Sequence, residues 1–94
     1  MTQFPRIHLN GTSPDDLLDP LHKAICALEQ AERYLNECAP HGRDYYTISS
    51  TAIDTAFNDH LRRLNRIKDT RGELIDIEAS IQEQRDEREK ARGR

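Results

Sequence analysis

The sequence predicts an all-α fold: a long antiparallel helical hairpin with a short extended N-terminal arm, assembled into a homo-oligomeric helical bundle. Two long segments, about 14–38 and about 51–85, carry apolar residues at helical spacing, and a loop at 39–50 separates them. Apolar residues make up 35% of the 94 positions, charged residues 33%, and there is no Trp. So small an apolar supply favours an elongated fold or a core shared between chains.

The N-terminal arm, residues 1–12, is the least helical part of the chain. Phe4, Ile7 and Leu9 are apolar, and Pro5 disfavours a helix. A single extended segment cannot satisfy its own backbone hydrogen bonds. We therefore expect the arm to lie against a helix or to pair with another chain.

Local signals mark the start of helix 1. Ser13 is a good N-cap, Pro14 suits the first helical position, and Asp16 completes a capping box. Pro20 conflicts with a helix interior, so we expect one helix bent near Pro20, the alternative being a loose turn recapped by Asp19. The apolar positions follow a 4-3 spacing, which is a heptad seam: Leu17, Leu21, Ala24, Leu28, Ala31, Leu35 and Cys38.

Helix 2 is expected to begin near Ser50 or Thr51, with Asp54 completing a capping box from Thr51. Its apolar positions are Ile53, Phe57, Leu61, Leu64, Ile67, Leu74, Ile77 and Ile81. From Gln82 on, acids and bases alternate without an apolar face, which indicates a solvated, fraying helix rather than a binding patch, with a frayed polar tail at 86–94. The whole chain, 1–94, is expected to form a single domain.

The two helices are unequal in length. At ~1.5 Å per residue, helix 2 would run about 50 Å to residue 85, against about 38 Å for helix 1. Leu74, Ile77 and Ile81 would then lack an intrachain partner, and self-association would bury them. The prediction is a dimer or a higher even-numbered oligomer. Arg71 and Glu78 lie near this seam. We expect either that they set the register between chains, or that they lie at the edge of the seam with the aliphatic parts of their side chains buried.

Several classes of function are disfavoured. A net charge of −3 argues against a DNA, RNA or membrane-surface binder, and the chain has no run of ~20 apolar residues and no signal peptide. Cys26 and Cys38 would be ~18 Å apart on one helix, too far for a disulfide. We interpret them as reduced, small apolar residues of a cytoplasmic protein. His60 is expected to be partly buried and hydrogen-bonded rather than a metal ligand. No catalytic motif is present, so the sequence predicts a non-enzyme without metal or cofactor.

A polar stretch before helix 1 is the first candidate site. Asn10, Gly11, Thr12 and Ser13 supply short hydrogen-bonding groups, and we expect a positive φ at Gly11 to turn backbone N–H groups toward one point. The free N–H groups of helix 1 would face the same point, which favours an anion. His8 lies in the same stretch, so we count it among the candidate ligand-binding residues. The alternative is a plain N-cap and turn.

The loop at 39–50 is the second candidate site. Arg43 suits a phosphate or carboxylate, and Tyr45 and Tyr46 suit stacking on a base or ring. The alternative is that the tyrosines plug the end of the hairpin. In one hairpin the two candidate sites lie at opposite ends, whereas an antiparallel dimer would place one chain's helix 1 start beside the other chain's loop.

Two motifs give the chain a resemblance to a family. Residues 7–13, IHLNGTS, and residues 39–46, APHGRDYY, resemble those of small proteins encoded by tailed phages and prophages, over about residues 6–80. This chain has His41 where Asn is common and Thr47 where a Pro commonly follows the tyrosines. The resemblance implies a phage accessory protein acting in the bacterial cytoplasm.

Small helical phage proteins of other families sequester nucleotide immune signals, an analogy at the level of the fold alone. Together with the two polar loops, this analogy leads us to expect a non-enzymatic binder of a small anionic ligand of nucleotide type. The alternative is a helical interaction protein that inhibits or assembles with a host or phage protein.

Overall fold

The computed structural model describes residues 2–93, so Met1 and Arg94 lie outside the description of the arm and the tail. The described chain consists of helix α1, Pro14–Glu37, a short 3-10 turn, Gly42–Asp44, and helix α2, Ala52–Arg92. Across residues 2–93 there is no strand, which confirms the all-α prediction. The molecule is elongated, with dimensions of 70 × 23 × 20 Å.

Side-chain contacts between the two helices show that α1 and α2 pack antiparallel. Asp15 contacts Arg85 at 3.2 Å and His22 contacts Glu78 at 3.8 Å. Residue numbers rise along α1 while those of their partners fall along α2, as in a hairpin. Because α1 has 24 residues and α2 has 41, α2 extends beyond α1, most of all at its N-terminal end.

The start of α1 follows from its capping residues. Ser13 has extended backbone angles, and its hydroxyl accepts a hydrogen bond from the Asp16 backbone N–H at 3.2 Å. Pro14 occupies the first helical position. The helix continues through Pro20, as expected, rather than being recapped at Asp19. Asp16 and Pro20 are both exposed, so water can hydrate the carbonyl that Pro20 leaves without its N–H partner.

The ends of α2 differ from expectation. Thr51 is the N-cap, but its side chain makes no capping hydrogen bond. Its backbone is helical, with φ −108° and ψ −2°, whereas a capping side chain needs an extended backbone. At the other end α2 continues to Arg92, past the expected end at residue 85. Three polar residues of this segment are half-buried: Gln84, Arg85 and Arg88. One face of the segment is therefore packed, although its polar composition does not indicate this.

The arm supplies the cover for the second half of α2. The Ile7 backbone N–H donates to Gln84 Oε1 at 2.8 Å, and Gln84 Nε2 donates to the Pro5 carbonyl at 2.9 Å. The Thr2 hydroxyl donates a hydrogen bond to Glu73 Oε1 at 3.3 Å. The arm therefore runs along α2 in the same direction as that helix, the first of the two arrangements expected for it.

This cover corrects one expectation. Ile81 is fully buried within the single chain, and Leu74 and Ile77 are half-buried. The expectation that these three residues lack a partner within the chain was therefore wrong, because the arm and α1 shield them. Homo-oligomerisation stays a prediction, and it needs a different surface.

The core is small and is spread along the hairpin. Its buried apolar side chains are Ile7, Ile25, Leu64 and Ile81. The α1 seam residues from Leu17 to Leu35 are half-buried, whereas the last position, Cys38, is exposed. His60 is buried, and its ring centroid lies 6.4 Å from that of Phe57.

One charged pair fixes the register of the hairpin. Arg71 Nε donates to Glu32 Oε2 at 2.5 Å, and Arg71 Nη2 donates to Glu32 Oε1 at 3.2 Å. The hydrogen bond with Glu32 raises the pKa of Arg71; desolvation opposes the rise, and the charges of Glu32 and Glu29 add to it. Arg71 and Glu78 therefore pair with residues of their own chain and do not set the register between chains, which was one of the two roles expected for them.

The cysteines are free, and both are exposed, which corrects their interpretation as small apolar packing residues. Cys26 Sγ lies 3.6 Å from His22 Nε2 on the next turn of α1. None of the helices described in residues 2–93 has the length and hydrophobicity to span a membrane.

Candidate functional site

A tight turn reverses the chain between the arm and α1. The Gly11 backbone N–H donates to the His8 carbonyl at 3.1 Å, and α1 begins three residues later. His8, Asn10, Gly11, Thr12 and Ser13 are all exposed in this turn. The first candidate site is therefore a continuous, solvent-accessible surface at the start of α1.

Gly11 is needed for a different reason from the one expected. Within residues 2–93 no residue has a positive φ, so the expected left-handed conformation at Gly11 was wrong. A Cβ built on Gly11 would lie 2.7 Å from His8 Nε2 and 3.0 Å from His8 Cδ2. Glycine thus leaves space for the His8 imidazole to lie against the backbone of the turn.

A cleft of about 320 Å³ opens between this turn and the end of α2; we call it the arm-turn cleft. The arm side contributes Ile7, His8, Leu9, Gly11, Ser13 and Pro14. The helix side contributes Arg85, Arg88, Glu89 and Arg92, and Asp15 of α1 completes the wall. Asn10 and Thr12, which the sequence also suggested, are exposed beside the cleft and do not line it.

The three arginines are the main feature that sequence reasoning missed. Arg85, Arg88 and Arg92 recur at spacings of three and four, so they lie on one face of α2. The mixed charges of QEQRDEREKARGR concealed this face. The spacing itself was the signal that could have revealed it, once the segment was treated as a packed helix.

The electrostatics of the arm-turn cleft favour a negative ligand. Three guanidinium groups outnumber the two carboxylates of Asp15 and Glu89. At the start of α1, Pro14 has no N–H and the Asp16 N–H donates to Ser13, so the Asp15 N–H is the free group that adds the positive end of the helix dipole. Arg85 already contacts Asp15 at 3.2 Å, but the Asp15 side chain is 87% exposed, so this pair is easily exchanged for a ligand.

A larger groove of about 990 Å³ runs between the arm and α2. Its helix wall carries Asp76, Glu83 and Glu87, with Arg88 at its edge. With Arg6 on the arm side, the groove has three carboxylates against two guanidinium groups, and this excess of negative charge disfavours an anion there. Of the two concavities, the arm-turn cleft is the one whose charge suits the anionic ligand expected from the sequence.

The second candidate site forms a compact turn at the other end of the hairpin. His41 Nδ1 accepts a hydrogen bond from the Arg43 backbone N–H at 3.1 Å, and the Tyr45 backbone N–H donates to the Gly42 carbonyl at 3.0 Å. Because Nδ1 accepts, the neutral ring carries its proton on Nε2.

Side chains of this turn differ in exposure. Arg43 is exposed, and Tyr46 is 73% exposed, whereas Tyr45 is half-buried. Whether Tyr45 plugs the end of the hairpin or contacts a ligand stays a matter of prediction. Arg43 and Tyr46 are available to a ligand or to another chain.

The single chain does not bring the two candidate sites together. The loop joins α2 at Ala52, while the arm-turn cleft lies beside Arg85. Along a helix this is about 50 Å at ~1.5 Å per residue. In residues 2–93, no group of three His, Cys, Asp or Glu side chains is arranged to hold a metal ion.

Comparisons with known proteins add no relative. No protein-family model, no curated protein and no solved structure matches the chain.

Proposed function

We propose that this protein is a phage accessory protein that binds a small anionic ligand without catalysis, and that it sequesters a nucleotide-type host immune signal in the bacterial cytoplasm. The observation that carries the proposal is the arm-turn cleft. There, Arg85, Arg88 and Arg92 face the N-terminal end of α1 across the His8–Gly11 turn. Guanidinium groups bind phosphate through charge-assisted hydrogen bonds, and the one free N–H group at the start of α1, that of Asp15, adds the positive end of the helix dipole.

The division of roles within the cleft follows from exposure. Arg92 is exposed, and Arg88 is half-buried with its stem against the arm. Both are assigned to direct phosphate contact, whereas Arg85 holds Asp15 until a ligand replaces it. Arg43, Tyr45 and Tyr46 retain their expected role as groups that a neighbouring chain contributes to the same ligand.

Isothermal titration against linear and cyclic nucleotides, ADP-ribose derivatives among them, tests the proposal. Wild type should bind at least one phosphate-bearing compound well below millimolar concentration. Loss of one charge-assisted contact in Arg88→Ala or Arg92→Ala should weaken binding by ~1.5–3 kcal/mol. Arg63→Ala, an exposed arginine on α2 about 30 Å from the cleft, is the matched control.

Two results would contradict the proposal. The first is a wild type that binds no compound of the panel below about millimolar. The second is an Arg88→Ala, Arg92→Ala double variant that binds as tightly as Arg63→Ala. Phosphate release or ring opening during the titration would separately contradict the claim that the protein is not an enzyme.

A second candidate function is a helical interaction protein that inhibits or assembles with a host or phage protein. The observation that favours it is the exposure of Phe57 and Leu61, at 45% and 40%, on the part of α2 that α1 does not cover. Protection of phage in a plaque assay separates the two functions. Loss of protection in Leu61→Asp but not in the Arg88, Arg92 double variant would favour the interaction protein.

A further inference from the structure

Three side chains outside both candidate sites form a cluster on one side of the hairpin: Cys26 and His22 of α1 and Glu78 of α2. Cys26 Sγ lies 3.6 Å from His22 Nε2, and His22 Nδ1 lies 3.8 Å from Glu78 Oε2. A thiol, an imidazole and a carboxylate thus follow one another, and we call them the thiol cluster. At ~1.5 Å per residue, Cys26 is about 16 Å along α1 from Asp15 of the arm-turn cleft.

The order of these three groups is that of an activated nucleophile. A base within reach of a thiol takes its proton, and a third group on the far side of the base holds it in position. His22 contacts the thiol through one ring nitrogen and the carboxylate through the other, so Glu78 can stabilise the imidazolium that forms when Cys26 gives up its proton. A neighbouring imidazolium in turn favours the thiolate, which is the reactive form of cysteine.

Packing between the two helices completes the thiol cluster. Cys26 and His22 are four residues apart, so any helix would bring them to one face. Glu78 comes from the other helix and reaches His22 only because α1 and α2 pack antiparallel. The Glu78 side chain is 22% exposed, so the hairpin holds this carboxylate in place. The cluster is therefore a product of the fold and not of the local sequence of α1 alone.

A reagent can reach the two groups that would react. Cys26 is exposed, and the His22 side chain is 71% exposed. An accessible thiol beside a cationic group is the environment in which cysteine is reactive, whereas cysteines that serve packing are usually buried. Lys23 is drawn toward the preceding turn by Asp19, at 2.9 Å, and the exposed Glu29, whose charge opposes a thiolate, is screened by water.

Cys38 provides a comparison on the same helix. Both cysteines are free and exposed, but Cys38 is the C-cap of α1. The negative end of the helix dipole disfavours a thiolate at that position. Cys26 lies in the middle of the helix, away from both ends of the dipole, and has His22 beside it. The two thiols of one chain should therefore differ in reactivity, with Cys26 the faster.

We propose that Cys26 is a reactive thiol that forms reversible mixed disulfides with low-molecular-weight disulfides, with His22 as its base and Glu78 as the residue that positions His22. The Cys26 thiol gives its proton to His22 Nε2, and the sulfur attacks one sulfur of a small disulfide, R–S–S–R. A mixed disulfide of Cys26 forms, the S–S bond of the reagent breaks, and the departing sulfur takes the proton from His22 as R–SH.

The small disulfide is itself the oxidant of this step, because one of its sulfurs is reduced to the thiol that leaves. The modification is stoichiometric, with one group added to each chain and no turnover. A second small thiol reverses it by the same exchange. The modification does not rest on the proposed function of the arm-turn cleft.

The rate of reaction with dithiodipyridine, an uncharged aromatic disulfide, tests the thiol cluster in the full chain. Cys26 in the Cys38→Ser protein should react about tenfold faster than Cys38 in the Cys26→Ser protein. In the Cys38→Ser background, His22→Gln should slow the reaction about tenfold and Glu78→Gln about threefold. Asp76→Asn, exposed on another face of α2 and with the same change of charge as Glu78→Gln, is the matched control and should leave the rate unchanged.

Two further measurements separate activation of the thiol from a structural effect. At neutral pH the Cys38→Ser protein should show more of the ultraviolet absorption of a thiolate than its His22→Gln variant, while circular dichroism finds the same helix content in both. Incubation of wild type with oxidised glutathione should add one glutathionyl group, at Cys26, which mass spectrometry locates. Reduction with dithiothreitol should remove it.

Several results would overturn this assignment. A Cys26 that reacts no faster than Cys38, or as fast in His22→Gln as without that change, would show that the thiol is not activated by its neighbour. A glutathionyl group on Cys38 and not on Cys26 would have the same meaning. Equal rates for Glu78→Gln and Asp76→Asn would remove Glu78 from the cluster. Ligand binding by the arm-turn cleft is measured separately by titration of the reduced protein.

Discussion

The two halves of α2 have similar numbers of apolar residues but very different surroundings. In the C-terminal half, α1 and the arm pack on the helix, and Ile81 is fully buried. In the N-terminal half, α1 reaches only as far as the Arg71–Glu32 pair and the neighbouring buried Leu64, and beyond it Phe57 and Leu61 stay about half exposed. The apolar residues themselves do not explain the contrast. It is set by which other segments reach each half, and it separates a stability region from a region available for binding.

The largest expected effect is in the C-terminal half of α2, where the side chains are buried. Ile81→Ala removes a fully buried side chain that is enclosed by three segments, so it should lower the free energy of unfolding by about 2–5 kcal/mol. Leu61→Ala, on the half-exposed side, should cost the monomer about 1 kcal/mol or less. Urea denaturation at a concentration below dimer formation measures both. Equal losses for the two variants would contradict the comparison.

The next-largest expected effect concerns the contact between the arm and α2. Gln84→Ala removes the side chain that binds Ile7 N–H and the Pro5 carbonyl, at 2.8 and 2.9 Å. Two lost hydrogen bonds should lower the free energy of unfolding by about 1–3 kcal/mol. Backbone amide exchange at Ile7 should rise with it. Gln82→Ala, exposed on the same turn, is the control and should leave both quantities unchanged.

A gain in stability is expected at Gly72. Because a Cβ there meets no atom within 4 Å, Gly72→Ala should raise the free energy of unfolding of the monomer by about 0.5–1 kcal/mol. The reason is the lower conformational entropy of an unfolded chain with Ala. Denaturation at low protein concentration is the measurement. A loss of stability would show that this part of α2 is not the open surface described above.

The smallest effect is expected at Gly11. The added Cβ of Gly11→Ala would meet only the ring of His8, which is exposed and can rotate aside. Without a positive φ there is no backbone strain, so the loss of stability should be below about 1 kcal/mol. The displaced His8 ring should alter ligand affinity more than stability. Denaturation of this variant measures its loss of stability and titration measures its loss of affinity. A loss of stability larger than the loss of affinity would contradict this prediction.

Local features of this fold could be predicted from the sequence. Ser13 and Pro14 act through neighbouring backbone groups, so they locate the start of α1 without reference to the rest of the chain. The 4-3 seam of α1 likewise follows from helix periodicity. The absence of a capping bond at Thr51 shows the limit of this reasoning, because the residue type suits a cap while its backbone angles do not.

Contacts between distant segments could not be predicted. Gln84 binds the arm across 77 and 79 positions, and nothing in either segment specifies the other. The same contact extends α2, buries Ile81 and places the arginines of the polar tail beside the turn. For this reason the first half of the candidate site was found at His8 to Ser13, whereas Arg85, Arg88 and Arg92 were missed.

Native mass spectrometry of protein purified from infected or signalling bacteria tests the central claim most directly. The account predicts that wild type retains a small phosphate-bearing compound, that Arg63→Ala retains it equally, and that the Arg88→Ala, Arg92→Ala double variant does not. A wild-type protein without any retained mass under these conditions, or a double variant that carries the same compound, would contradict the claim that the arm-turn cleft sequesters an anionic ligand.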